Sequence, residues 1–289
     1  MINEKIIKEI IDFSTQKKTL PKYYMQDFFK VNSDLNFVYF SLLELLKTND
    51  VESISYSLNF ITFLINNSDE IPGKRHYILL SIIEENFDVF EMINEHLRSP
   101  NIFIRQLIID KIHYFKYEDC LNYLIDSIDY YFIRDPINIP QIIIAIINLS
   151  DDIPWDIISK TVKHNNFVVR WSFLYILGDY TLDFIKTCQY LEILLKDEKM
   201  FISIEANYYY NKLKTEEENN SLNYFDKNDV LVSFDEDPPI INFADMYFNF
   251  LEIIRKKNES NYSTSELDAF IDYYIKNKES LIDGFLEKR

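Results

Sequence analysis

The sequence predicts an all-α chain, a right-handed α-solenoid of antiparallel helix pairs closed by C-terminal capping helices. Three observations carry that expectation. Apolar residues recur at three- and four-residue spacing along most of the 289 residues, the period of helices with one buried face. Only 3 glycines are present, too few for the tight turns and positive-φ corners of a sheet-rich fold. Related segments also recur at an interval near 33 residues, which suits stacked helix pairs.

The periodicity places helices near 2–18, 21–30, 34–48, 50–67, 74–87, 88–98, 100–115 and 117–132. It continues with 138–150, 154–163, 165–180, 182–196 and 198–214. Short Asn/Asp/Ser/Pro clusters separate them, so sequential helices are expected to lie antiparallel. Residues 215–240 break the pattern with acidic clusters, a Pro pair and one β-like run, VLVSF, and read as a long connection. Two further helices follow near 241–257 and 264–288, the second opened by a capping box of Ser263 and Glu266. The expected organisation is a solenoid over 1–214, clearest at 88–214, an acidic connection over 215–240 and a helical cap over 241–289.

The repeat emerges when three segments are superimposed: INEHLRSPNIFIRQLIIDKIHYF from Ile93, ISKTVKHNNFVVRWSFLYILGDY from Ile158 and LEILLKDEKMFISIEANYYYNKL from Leu191. Ile93, Ile158 and Leu191 align, as do Leu97, Val162 and Leu195, on the inner face of a first helix. Arg98, Lys163 and Lys196 align at its last turn, where a cation complements the helix dipole. After a polar break, Ile104, Val169 and Ile202 open a second helix, followed by Ile108, Phe173 and Ala206, then Ile112, Leu177 and Tyr210. A degenerate unit with a longer loop is expected around 124–150.

The second helices carry a family resemblance. An apolar residue followed by Arg, then small or apolar residues, then Leu-Gly is matched by Val169, Arg170, Phe173, Leu177 and Gly178. Ile104, Arg105, Ile108 and Ile112 match with His113 in place of the glycine; the third unit keeps Ala206 but has Ser203 and Asn211 at the Arg and Gly positions. The pattern resembles the HEAT repeat, in particular the short prokaryotic form shared with phycobilisome-lyase-like repeats. Such motifs specify architecture far more than function. The resemblance implies that Arg105 and Arg170 are structural, each bridging neighbouring repeats to an acidic or carbonyl partner.

Composition bounds the function. With 30 Lys+Arg against 47 Asp+Glu the net charge is −17, which repels phosphate backbones and anionic membranes and favours basic partners. Gly73, Gly178 and Gly284 are far apart, so no Gly-rich phosphate cradle exists. The two cysteines, Cys120 and Cys188, have no CxxC spacing and suit a reducing compartment. With no signal-peptide pattern or membrane-length apolar run at the sequence level, the cytoplasm is expected. His76, His96, His113 and His164 form no ligand pair, no nucleophile motif occurs, and the paired carboxylates read as solvated faces. No catalytic, cofactor-binding or metal-binding residue is therefore assigned, and no enzymatic activity is expected.

In a HEAT hairpin the second helices line the concave side. Counting from the arginine position predicts a partner-binding face of Asp110, Tyr114, Trp171, Tyr175, Asp179, Glu205 and Tyr208. Aromatic rings beside carboxylates suit an Arg/Lys-rich protein partner. The expected function is a bacterial protein-binding scaffold; one form is an immunity protein that neutralises a basic, nuclease-type toxin, another a general adaptor. The enzyme alternatives implied by the resemblance are a DNA-repair glycosylase, for which no basic stripe is present, and a bilin-lyase-like activity, which has no residue signature here.

Overall fold

A computed structural model describes residues 4–15, 21–115, 117–150, 153–179, 183–219 and 241–286. Among these the chain is helical throughout, with no strand. The first helices are α1 (Glu4–Thr15), α2 (Pro21–Val31), α3 (Leu35–Leu46), α4 (Val51–Asn66) and α5 (Arg75–Glu85). Next come α6 (Asp88–His96), α7 (Ile102–Ile112), α8 (Glu118–Arg134), α9 (Ile139–Leu149) and α10 (Trp155–Val162). The last are α11 (Phe167–Asp179), α12 (Phe184–Leu194), α13 (Met200–Glu218), α14 (Phe243–Lys256) and α15 (Thr264–Leu286). Each falls on a segment whose periodicity predicted it. The largest shift is at the end of α13, which runs on to Glu218 through residues expected to leave the helix. Glu is a good helix former, and a Lys214–Glu217 pair at 3.8 Å supports the added turn. Residues 220–240, with most of the expected acidic connection and the VLVSF run, lie outside the described residues.

Caps fix many of the starts. Asp34, Asp50, Asn101, Asp183 and Asn242 each accept a backbone N–H of the first turn. Ser263 and Glu266 form the reciprocal box at α15: the Ser263 N–H donates to Glu266 Oε2 at 2.7 Å and the Glu266 N–H to Ser263 Oγ at 3.2 Å. Among the described residues, two take positive φ. Gly73 (φ 92°) turns the chain before α5, and Asn258 (φ 57°) ends α14, with the Glu259 N–H returning to the Ile254 carbonyl at 3.2 Å, a left-handed stop that Asn tolerates.

The chain divides into two compact units, residues 1–127 and 128–289. In the first, α4 is central and packs on α1, α3, α5 and α7, while α3 also packs on α6. Phe60 of α4 is fully buried among the rings of Phe13 and Phe28, at 5.5 and 5.1 Å. In the second unit α11 holds that place, against α9, α10, α13 and α14. Its sequence, FVVRWSFLYILGD, is apolar on nearly every side, and a helix of that kind is stable only when surrounded. The C-terminal helices belong to this unit, since α14 packs on α11 and α15 on α14.

Three of the five matched apolar positions share their burial, while Leu195 and Tyr210 of the third segment are only half-buried. Ile93, Ile158 and Leu191 are all in the core, as are Ile104, Val169 and Ile202, then Ile108, Phe173 and Ala206. Helices α6 and α7, α10 and α11, and α12 and α13 pack as sequential pairs. Within the second unit α10 also packs on α12 and α11 on α13.

Candidate functional site

The arginine position anchors the turns between paired helices. Arg105 is fully buried and its Nη1 donates to the Ser99 carbonyl at 2.6 Å. Arg170 Nη1 donates to the equivalent carbonyl, that of His164, at 3.0 Å, and equally to Asn165. Its remaining fork grips Asp197, between α12 and α13, with Nε–Oδ2 at 2.6 Å and Nη2–Oδ1 at 3.0 Å. The Arg170 and Asp197 side chains are only 13% and 2% exposed. Arg170 thus ties its own turn to the turn of the following pair, the structural role expected of it. A neighbouring feature was not singled out from the sequence: Asn101 and Asn166, each four residues before the arginine, accept from Phe103 N and Val168 N and start the second helices.

The predicted partner-binding residues are not all on an open face. Trp171 and Glu205 are buried, with 0% and 1% exposure, and the indole Nε1–H donates to Glu205 Oε2. The reason is α14: Phe243 sits edge-on to Trp171 at 5.4 Å and to Tyr175 at 5.8 Å, and its backbone N–H donates to Glu205 Oε1 at 3.4 Å. Tyr175, half-buried, also meets Tyr247 at 5.9 Å. Trp171 and Glu205 are therefore internal seams of the second unit, and their assignment to a partner-binding face is corrected. Counting from the arginine found where those side chains point but not that the chain supplies its own cover. Burial pushes the Glu205 carboxyl up from 4.5 to about 8, although both hydrogen bonds favour the charged form.

The other predicted residues are scattered. Tyr208 is half-buried beside Tyr209 at 5.4 Å. Asp179 ends α11, and its side chain lies outside those described. In the first unit, exposed Asp110 pairs with Lys111 at 2.7 Å, and the same ammonium lies 5.9 Å from the Tyr114 ring. Its charge is thus partly neutralised.

A different surface of the first unit gathers carboxylates and aromatic rings. Phe87, 54% exposed at the start of α6, lies 6.3 Å from Tyr117, which stacks on Phe90 at 4.2 Å. Burial raises the Tyr117 and Tyr123 phenols; Asp119 raises both further, and Glu91 adds to Tyr123. Asp88 accepts from the Tyr39 hydroxyl at 3.3 Å, and burial followed by that carboxylate pushes the Tyr39 phenol up to about 12. Glu84, Glu85, Asp88, Glu91 and Glu95 are all exposed. The sequence did hold a signal for this patch: 76–97 contain no Lys or Arg.

Among the described residues no group of His, Cys, Asp and Glu is arranged to hold a metal ion. Burial pushes the Cys120 thiol up to about 12, which leaves it unreactive. No described helix is long and apolar enough to cross a membrane. No family model matches the chain, and comparison with curated proteins and with solved structures likewise finds no match.

Proposed function

We propose that this chain is a HEAT-like α-solenoid that binds a basic protein partner and catalyses no reaction. The repeat reading is supported by the shared burial of three of the five matched apolar positions and by the packing of α10 on α12 and α11 on α13. The binding reading rests on one observation: exposed Phe87 lies 6.3 Å from Tyr117 and opens a helix whose Asp88 and Glu91 are exposed, in a run (76–97) that contains no Lys or Arg. An apolar anchor surrounded by like charges fits an Arg/Lys-rich surface, which supplies both ring contact and charge pairing. The C-terminal helices occupy the surface that the solenoid reading assigns to a partner around α11, so the contact surface moves to the first unit. A basic toxin neutralised by this chain is the most specific form of the proposal, and an adaptor for a basic protein is the broader one.

The test is co-purification with the product of the adjacent reading frame. Wild type is compared with Phe87→Ala and Glu91→Lys at about 0.1 M and 0.5 M salt, where screening shortens from about 10 to about 4 Å. One protein retained by wild type at low salt and lost in both variants supports the reading. Equal retention by all three proteins at both salts sinks it, and a salt-sensitive shift of duplex DNA would point to the glycosylase alternative.

A further inference from the structure

Independently of that reading, a groove of about 600 Å³ lies in the second unit, in the size range of small-molecule sites. Asp129, Phe132 and Ile133 of α8 form one wall; Lys160 and Lys163 at the end of α10, with His164 after it, form the other. Ser159 and Asn165 complete the polar lining. The imidazole of His164 stacks on the largely buried Phe132 at 5.2 Å with 22° between the planes, which puts an aromatic pair in the groove's lining. Ile133 stands 69% exposed at its edge. His164 Nδ1 accepts from the Asn166 N–H at 3.1 Å, which leaves Nε2–H as the ring's donor. Burial holds the imidazole's pKa below its ordinary value and the Arg170 charge adds to that, against the opposing effect of the Asn166 hydrogen bond, so the two lysines are the groove's main positive charges.

The repeat itself does not demand these groups. At the positions matching Lys160 and His164 the first unit of the alignment has Glu95 and Ser99, and the third has Ile193 and Asp197. A cation does recur at the Lys163 position, but Arg98 there spends its guanidinium on the Asp126 carbonyl at 3.0 Å. Lys160 and Lys163 make no ion pair among the described residues, in a chain where carboxylates outnumber cations 47 to 30. The turn that presents His164 and Asn165 is held by Arg170 through both carbonyls, so the wall is ordered before any ligand arrives.

We propose that this groove binds a monoanionic carboxylate with a short apolar body, the carboxylate meeting Lys160 and Lys163 and the body lying on Phe132 and Ile133. Asp129 on the facing wall opposes a second negative charge. The site also lacks the Arg fork or Gly-rich cradle that a phosphate dianion favours. A free small acid and the C-terminal carboxylate of a peptide share this chemistry. The probes are 3-phenylpropionate, its amide and phenyl phosphate, with a tetrapeptide ending in Phe as free acid and as amide, titrated into the full chain by calorimetry. At least one carboxylate should bind, its amide at least tenfold more weakly; which of the two acids binds identifies the source. Lys160→Glu with His164→Ser, the residues at the matched positions of the first repeat, should weaken binding at least tenfold with an unchanged melting temperature. If that pair fails to fold, Lys163→Ser alone should weaken binding measurably. Acid and amide binding alike, phenyl phosphate binding more tightly, an affinity indifferent to these substitutions, or no binding by either acid would each overturn the proposal.

Discussion

Arg170 and Glu205 are both buried polar groups, yet they depend on their surroundings in opposite ways. Arg170 is matched by Asp197 and two carbonyls. Removing it strands a carboxylate that is almost wholly buried, and breaking such a pair costs far more than a surface ion pair is worth. Arg170→Ala should destabilise the protein by about 2–3 kcal/mol in urea unfolding. Arg170→Lys should recover only part of that loss, since an ammonium cannot span both Asp197 oxygens. Glu205 has two donors and no cation. Its folded pKa, about 8, lies above the ordinary 4.5, so the folded state keeps a proton that the unfolded chain has already released. This group's contribution therefore falls as pH rises from about 4.5 to about 8, and is flat outside that window. Glu205→Gln should remove that slope. It should also cost about 1–2 kcal/mol at low pH, because an amide nitrogen cannot accept from either Trp171 or Phe243. Unfolding midpoints at several pH values, wild type against variant, measure both effects, and parallel curves would show that Glu205 is ionised in the fold.

Among the elements, α11 and α14 show what the sequence made legible and what it did not. A 3.6-residue period locates helices because it is local: Phe243, Met246, Tyr247, Phe250 and Ile254 mark one buried stripe of α14 without any knowledge of its neighbour. The identity of that neighbour is not local. Nothing in FVVRWSFLYILGD states that Trp171 meets a residue 72 positions later in sequence, and an apolar face reads alike whether a partner or the chain itself covers it. The repeat positions are readable since they recur with the same chemistry; the acidic patch is not, because no motif defines it and its rings meet only in the fold. Phe243→Ala should loosen α14 and cost about 3–5 kcal/mol. In a Trp155→Phe background, the emission of Trp171 should shift to the red as water reaches the indole; an unmoved spectrum would mean that α14 does not shield it. Ser263→Ala should cost about 1 kcal/mol by removing the start of α15.

For the molecule as a whole, a net charge of −17 sets how it meets other molecules more than how it folds. The net charge was read from composition and the cation-free run over 76–97 from the sequence, but the meeting of Lys160 and Lys163 in one groove required coordinates. A basic protein arriving at the first patch should associate more slowly as salt rises, with dissociation much less affected, because long-range attraction is what screening removes. Stopped-flow association rates at two ionic strengths test this, and salt-independent association would remove charge as the driver. The cover over α11 also orders events during synthesis. Glu205 waits for a donor 38 residues further along the chain. While a ribosome is still adding those residues, the emerging second unit carries a hydrated, ionised Glu205 beside an uncovered Trp171. Its core can close only when the C-terminal helices emerge, so a chain stalled before residue 243 presents an aromatic seam to chaperones.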